Sequence, residues 1–345
     1  MTILTSRLLT PKLCAVLLLL ALPVVSVLGL MTGPVSISLA DILSITLGGE
    51  GANSQEKLII EIIRLPRVVL SLIVGALLAT CGALLQGLFR NPLADPALIG
   101  VSAGASVGAS TVIVFGALFA ANGMLLGLAA ISLGAFIGAI IASVIIFRLA
   151  TGPQGTSVAT MLLAGIAISA LAGAATNTLS YMADNDMLRR ISLWQMGNLQ
   201  GASWESVGLC ALTAGLLAVL IPRDTGALNA MLLGESEARH LGVNVEWLKR
   251  RLIIYSALGV AISVAVAGVI AFVGLMVPHL IRLLVGPDHR NLLPLSALAG
   301  SILLVAADAL SRVVIAPAEL PVGVVTALLG APFFLWLLVV QRGRS

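Results

Sequence analysis

Long apolar runs separated by short polar connections dominate the chain. Most runs contain about 20 residues, the length of an α-helix that crosses the hydrocarbon core of a bilayer. No regular alternation of apolar and polar residues indicates membrane β-strands. The pattern therefore predicts an all-α, polytopic membrane protein with about ten transmembrane helices. The predicted spans are approximately 13–30, 62–88, 95–118, 124–147, 157–181, 204–221, 252–270, 275–285, 292–311 and 322–340.

The apolar run 252–285 is longer than one crossing needs and shorter than two full crossings. A break near 271–274 would place Arg282 and Arg290 on the same side as the C-terminus. Because basic residues accumulate on the cytoplasmic side, this arrangement is favoured. We therefore predict a short eighth span, ten spans in total and both termini in the cytoplasm.

Composition strengthens the membrane interpretation. Hydrophobic residues make up 59% of the chain and charged residues only 10%, whereas soluble domains carry about 25% charged residues. No basic stripe interleaved with aromatic residues indicates binding to nucleic acid. Glycines recur every four positions, as at Gly104 and Gly108 and at Gly134 and Gly138. This spacing predicts close packing between membrane helices.

Polar residues at the ends of the apolar runs mark helix boundaries. Asp95 followed by Pro96 is typical of a helix N-terminus, and Ser203 marks a second start. Asn91-Pro92 is expected to stop the second span.

Motifs for catalysis, nucleotide binding and metal binding are absent from the sequence. It contains no GxxxxGK[ST] loop, no HExxH helix and no GxSxG elbow. Its three histidines lack metal-ligand spacing, and we interpret His279 as a packing residue with satisfied hydrogen bonds. We predict no catalytic residue, no metal site and no cofactor bound by this chain.

Asp308 is the main acidic residue predicted inside a span. Arg312 lies four residues later, on the same helix face. A local ion pair is the favoured interpretation. The alternative is a proton-relay residue, which would make the protein an ion-coupled secondary transporter.

Charged residues are concentrated in the segment 222–251, which we predict as a cytoplasmic loop. Within it, 234–242 has acids at its start, bases at its end and a terminal glycine, which predicts a short helix. We expect this loop to dock a cytoplasmic partner. On the opposite side, Arg64, Arg67 and Arg312 could contact lipid phosphates or acidic residues of an external partner.

Several long motifs resemble the permease subunit of FecCD-type ABC importers, which carry iron chelates, haem or cobalamin. The resemblance covers the chain from about residue 60 to the C-terminus. The motifs are Arg64-Leu-Pro-Arg67, Gly82-Ala-Leu-Leu-Gln86, Asn91-Pro-Leu-Ala-Asp95-Pro, Gly234-Glu-x-x-Ala238-x-x-Leu-Gly242, Pro278-His279-x-x-Arg282, Gly286-Pro-Asp-His-Arg290 and Ala318-Glu-Leu-Pro321.

The resemblance implies a type II ABC importer permease fold. It implies a single transmembrane permease domain over 1–345, with 222–251 as its cytoplasmic coupling loop. It further implies a homodimer in the cell inner membrane, two copies of a cytoplasmic ABC ATPase that consumes ATP, and a periplasmic substrate-binding protein. Membrane lipid is the remaining expected partner.

The resemblance also assigns residue roles. Arg64, Arg67 and Arg312 would dock the binding protein. The cytoplasmic gate would lie at Thr156, Ser157 and Thr160, and the ATPase coupling helix would comprise Gly234, Glu235, Glu237, Ala238, Arg239 and Gly242. Motifs between Ala267 and Trp336 favour haem as cargo, and ferric siderophore or cobalamin transport remains the alternative.

Overall fold

The computed structural model describes residues 8–35, 37–46, 54–116, 124–153 and 155–342. This part of the chain is almost entirely helical, with one two-stranded hairpin. The elements are α1 Pro11–Met31, α2 Leu39–Thr46, α3 Ser54–Leu58, α4 Leu65–Leu88, α5 Val101–Phe115, α6 Met124–Ala150, β1 Thr151–Gly152, β2 Gly155–Thr156, α7 Val158–Met182, α8 Asn185–Gln195, α9 Trp204–Leu220, α10 Thr225–Met231, α11 Glu235–His240, α12 Val245–Ala267, α13 Val273–Val285, α14 His289–Ser311 and α15 Val322–Arg342. A π-helical turn, Ile59–Arg64, leads into α4, and 3₁₀ turns occupy Pro96–Ile99 and Ile221–Asp224.

The predicted membrane helices are present. Within the described residues, seven helical segments are long and apolar enough to cross a membrane. Three shorter apolar helices, Val101–Phe115, Val273–Val285 and Val322–Leu337, lie at the remaining predicted spans. The all-α, multi-span prediction is confirmed.

The predicted break in the run 252–285 is confirmed. The helix α12 ends at Ala267 and α13 begins at Val273. The predicted start at Asp95 is only partly right. The Asp95 carboxylate accepts a hydrogen bond from the Ala97 amide at 2.7 Å, but it caps the 3₁₀ turn. The α-helix begins only after Gly100, whose φ of +71° interrupts the helical path.

The segment 222–251, predicted as a polar loop containing one short helix, is mostly helical. It holds a 3₁₀ turn, α10, α11 and the first turns of α12. Charged residues reduce hydropathy without preventing a helix, so polarity alone misidentified these turns. The short helix predicted at 234–242 is confirmed as α11, which is followed by Gly242 at a φ of +84°.

The chain divides into two compact units. The first comprises Met1–Thr80, Asn198–Ala214 and Ile270–Ser345. Within it, α1 and α13 pack on α14, and α15 packs on α13 and α14. Side chains around Leu30, Ile60, Val68 and Val305 form its apolar core.

The second unit comprises Cys81–Gly197 and Gly215–Val269. The helices α5, α6, α7 and α12 pack against one another within it. A Cβ atom added to Gly104 would overlap the carbonyl oxygen of Gly138, and Gly108 meets Gly134 in the same way. The predicted glycine packing is therefore confirmed, with helix backbones in direct contact.

Candidate functional sites: an arginine cluster and a lysine cluster

The first unit contains a buried group of five charged residues, here called the arginine cluster. It brings together the three arginines expected to dock an external protein and two acids. Their side chains come from the turn before α4, from α4 and α14, and from the segments that follow α14. The members are Arg64, Arg67, Asp308, Arg312 and Glu319.

Arg64 and Arg312 bind the C-terminal end of α1. Arg64 donates to the carbonyl oxygens of Leu30 at 2.6 Å and Met31 at 3.0 Å, and also to Val35. Arg312 donates to the carbonyl oxygens of Gly29 and Thr32, both at 2.9 Å. Helix C-termini leave unpaired carbonyl groups and carry partial negative charge. The two guanidinium groups supply both the missing hydrogen-bond donors and a compensating positive charge.

Arg67 connects the two acids of the arginine cluster. Its guanidinium group lies 2.8 Å from Asp308 Oδ1 and 2.9 Å from Glu319 Oε2. Asp308 also pairs with Arg312 at 3.1 Å, which confirms the ion pair predicted from their spacing. Glu319 accepts a further hydrogen bond from Gln200 at 2.9 Å.

Glu319 and Gln200 are the members of this network nearest to solvent. Burial raises the pKa of Glu319, but the hydrogen bond from Gln200 and the charges of Arg67 and Arg312 outweigh that effect. The pKa of Glu319 is therefore lowered from its ordinary value. The three arginines are only 4%, 5% and 2% exposed, and the more exposed Glu319 and Gln200 form the border of the cluster. Docking by these arginines stays a prediction.

The second unit contains another group of charges, here called the lysine cluster. It consists of Glu235 and Arg239 from α11, Glu246 and Lys249 from α12, and Thr156 from β2. Lys249 is only 3% exposed. Its ammonium group donates to Glu235 at 2.8 Å, to the carbonyl oxygen of Thr156 at 3.1 Å and to Glu246 at 3.4 Å.

Glu246 makes a second connection to the hairpin. One carboxylate oxygen accepts the backbone N–H of Thr156 at 2.8 Å, and the other lies 3.4 Å from Arg239. Arg239 also lies 3.7 Å from Glu235. The four charges balance, so a buried lysine is tolerated here.

The three residues expected to form a gate lie together at the start of α7. Thr156 is buried, whereas Ser157 and Thr160 are exposed. Ser157 caps α7 by accepting the Thr160 amide at 3.3 Å, and its hydroxyl also accepts from the Thr160 hydroxyl at 3.0 Å. The residues expected to couple the ATPase also lie together, on α11 and its two flanking glycines. Ala238 is fully buried, and Glu237 is exposed.

His279 lies in an aromatic group in the first unit. Its ring centroid is 6.4 Å from that of Phe333 and 6.3 Å from that of Phe334. Neither imidazole nitrogen has a hydrogen-bond partner among the described residues. The packing role predicted for His279 is confirmed by these ring contacts, whereas the described residues supply no hydrogen bond to its nitrogens.

Sequence reasoning missed two contacts that complete these clusters. The first is the hydrogen bond between Gln200 and Glu319 at the border of the arginine cluster, although Glu319 lies in the motif Ala318-Glu-Leu-Pro321. Lys249 closes the lysine cluster, and its only local signal was Glu246 three residues earlier. Its other partners lie 14 and 93 residues away along the chain, where local periodicity carries no information.

The chain matches one protein family over almost its whole length. The model of the FecCD transport family matches residues 18–340. The chain belongs to the FecCD transport family. The resemblance inferred from the motifs is therefore confirmed.

Individual FecCD relatives are permease proteins. The hemin transport system permease protein HmuU of Yersinia pestis is 49% identical over 283 residues, covering 81% of this chain and 83% of the relative. The cobalamin import system permease protein BtuC of Halobacterium salinarum is 42% identical, covering 86% and 77%. The FecCD chain described here is thus a transport permease rather than an enzyme.

Solved structures agree with this assignment. An inward-facing metal-chelate type ABC transporter shares a TM-score of 0.82 and 31% identity, covering 96% of this chain and 99% of its own. PsaBC from Streptococcus pneumoniae shares a TM-score of 0.56 at 18% identity, covering 79% and 89%. At 18% identity, the similarity to PsaBC supports the fold alone. The FecCD chain therefore has the type II ABC importer permease fold.

Proposed function

We propose that this chain is the permease subunit of an ABC importer that carries haem, or another iron chelate, across the cell inner membrane. The observation that carries the choice of cargo is the 49% identity to a hemin permease over most of both chains. A separate ATPase subunit would supply the energy, since the sequence has no phosphate-binding loop of its own.

The assembly proposed for this chain is a homodimer with two ATPase subunits and a periplasmic substrate-binding protein, with both termini of each permease in the cytoplasm. The lysine cluster would face the ATPase, because α11 presents charged residues on an otherwise apolar chain. ATP-driven closure of the ATPase pair would shift the permease between outward-facing and inward-facing populations.

The arginine cluster would receive acidic side chains of the substrate-binding protein. Three guanidinium groups and two carboxylates leave a net positive charge of one at this site. An incoming carboxylate would be attracted to it and would compete with Glu319 for Arg67. The border residues Glu319 and Gln200 would be the first groups to meet the partner.

Parallel uptake assays with hemin, a ferric siderophore and cyanocobalamin test the cargo. The permease is reconstituted in vesicles with its ATPase and binding protein, and we expect ATP-dependent uptake of hemin. If cyanocobalamin is taken up and hemin is not, the proposed cargo is wrong, but the assignment as an ABC importer stands. Uptake driven by a proton gradient without the ATPase would overturn the class.

Cobalamin is the second candidate cargo because several cobalamin permeases also match over most of the chain. Besides the relative from Halobacterium salinarum, the vitamin B12 import system permease protein BtuC of Salmonella paratyphi A is 41% identical, covering 87% of this chain and 91% of its own. The same parallel assay separates the two cargoes.

A further inference from the structure

We propose that Lys249 is a positioning residue that transmits movement of α11 to the hairpin β1–β2 and thus to the start of α7. This inference rests on the proposed function, in which α11 faces the ATPase, and on the gate expected at Thr156, Ser157 and Thr160, where α7 begins. It assigns a role to a residue that neither the sequence motifs nor the comparisons single out.

The Lys249 ammonium group carries three hydrogen-bond donors. They reach acceptors on three different elements: Glu235 on α11 at 2.8 Å, Thr156 on β2 at 3.1 Å and Glu246 on α12 itself at 3.4 Å. One buried cation therefore joins α11 to the hairpin through the side of α12.

Glu246 binds the second backbone polar group of Thr156. It accepts the Thr156 N–H, while Lys249 donates to the Thr156 C=O. Both backbone polar groups of Thr156 are thus bound by α12 side chains. Since the next residue, Ser157, caps α7, the position of the hairpin determines where α7 begins.

The burial of Lys249 makes this connection stiff. If α11 moved alone, Glu235 would leave the ammonium group with fewer counter-charges in a site shielded from water. Uncompensated buried charge is strongly unfavourable. Movement of the hairpin together with α11 therefore costs less free energy than separation of the hairpin from α11.

Gly155 offers an independent way to break the connection from the hairpin side. Its φ is +101°, and a Cβ atom there would lie 2.5 Å from the Glu246 carboxylate carbon. Gly155→Ala would push this carboxylate away from Thr156. Gly152 is its cross-strand partner, and a Cβ atom there would meet nothing within 4 Å. Gly152→Ala is therefore the matched control.

The test compares hemin transported per ATP hydrolysed in the complete reconstituted importer. Lys249→Met should reduce this ratio about tenfold, which lies within the range of factors by which coupled sites typically affect one another. ATP hydrolysis should stay within about twofold of that of the unmodified protein. Gly155→Ala should reduce the ratio in the same direction, and Lys249→Arg should restore part of it. Gly152→Ala should leave it unchanged.

Lys57→Gln is the control for loss of an ion pair outside the coupling loop. Lys57 pairs with Glu61 at 4.0 Å, and neither residue belongs to the lysine cluster. A normal ratio in both Lys249→Met and Gly155→Ala would overturn the inference, as would an equal loss in Lys57→Gln. Loss of ATPase binding in Lys249→Met, with normal coupling in Gly155→Ala, would also overturn it by assigning Lys249 to the folding of α11.

The unmodified importer separates this inference from the proposed function. If it hydrolyses ATP without moving hemin, the proposed cargo fails. Should it move hemin while the variants behave as controls, only the role of Lys249 fails.

Discussion

The arginine cluster and the lysine cluster both bury cations between segments that are distant in sequence, yet they use the charge differently. In the arginine cluster, two of the three guanidinium groups bind main-chain carbonyl groups of α1, and the acids are outnumbered. In the lysine cluster, acids and bases balance, and Arg239 remains 56% exposed. The first arrangement anchors a helix, whereas the second leaves charged groups available to a partner. Burial of charge alone therefore does not distinguish an anchor from a coupling element.

The largest effect is expected at the centre of the arginine cluster. Asp308→Asn removes the carboxylate that both Arg67 and Arg312 bind, and leaves buried positive charge uncompensated. We expect a loss of stability of about 3–5 kcal/mol, measured by thermal unfolding of the purified protein in detergent.

The control for Asp308→Asn is Lys57→Gln, at the exposed pair of Lys57 with Glu61. Exposed pairs contribute at most about 1 kcal/mol, so its unfolding should be nearly normal. A stable Asp308→Asn protein that loses proton-driven uptake would instead support the proton-relay role.

The next effect is expected on coupling rather than on stability. Arg239→Ala removes two exposed ion pairs of α11, and the unfolding temperature should change little. Transport per ATP should fall about fivefold to tenfold if α11 docks the ATPase. The matched control is Arg190→Ala, an exposed arginine of α8. Equal coupling in both variants would count against α11 as the docking helix.

A smaller effect is expected at the border of the arginine cluster. Glu319→Gln removes one competitor for Arg67 without burying a new charge. Affinity for the substrate-binding protein should rise about twofold to fivefold, the equivalent of one partly exposed charge pair of about 0.5–1 kcal/mol. Titration of the binding protein onto the permease in nanodiscs measures this affinity. Weaker binding would mean that Glu319 attracts the partner instead of competing with it for Arg67.

The smallest effect is the pH dependence of this same carboxylate. The pKa of Glu319 is lowered in the folded protein from its ordinary value of 4.5. Its contribution to stability is therefore present above pH 4.5 and is lost as the pH falls through the folded pKa.

The difference in unfolding temperature between the unmodified protein and Glu319→Gln should therefore be greatest near pH 7. It should shrink below pH 4.5. A difference that does not vary with pH would show that Glu319 acts through packing alone.

The sequence predicted the features that depend on local pattern. The apolar runs located the spans, and the charge bias located the break between α12 and α13. The spacing of Asp308 and Arg312 predicted their ion pair, because residues four apart share one helix face. Acids, bases and a final glycine likewise predicted α11.

What the sequence did not predict depends on which helices pack together. Arg67 and Asp308 are 241 residues apart, and Lys249 meets Thr156 across 93 residues. No periodicity connects such pairs, because their distance is set by tertiary packing. Apart from α11, the helical turns within 222–251 were missed for another reason: their charged residues give them the composition of a loop.

The contacts between Gly104 and Gly138 and between Gly108 and Gly134 limit what α5 and α6 can do. Backbone lies against backbone there, so sliding one helix along the other would drive carbonyl groups over Cα atoms. We therefore expect α5 and α6 to move together as one rigid body during the transport cycle. At these four positions the only residue that fits is glycine.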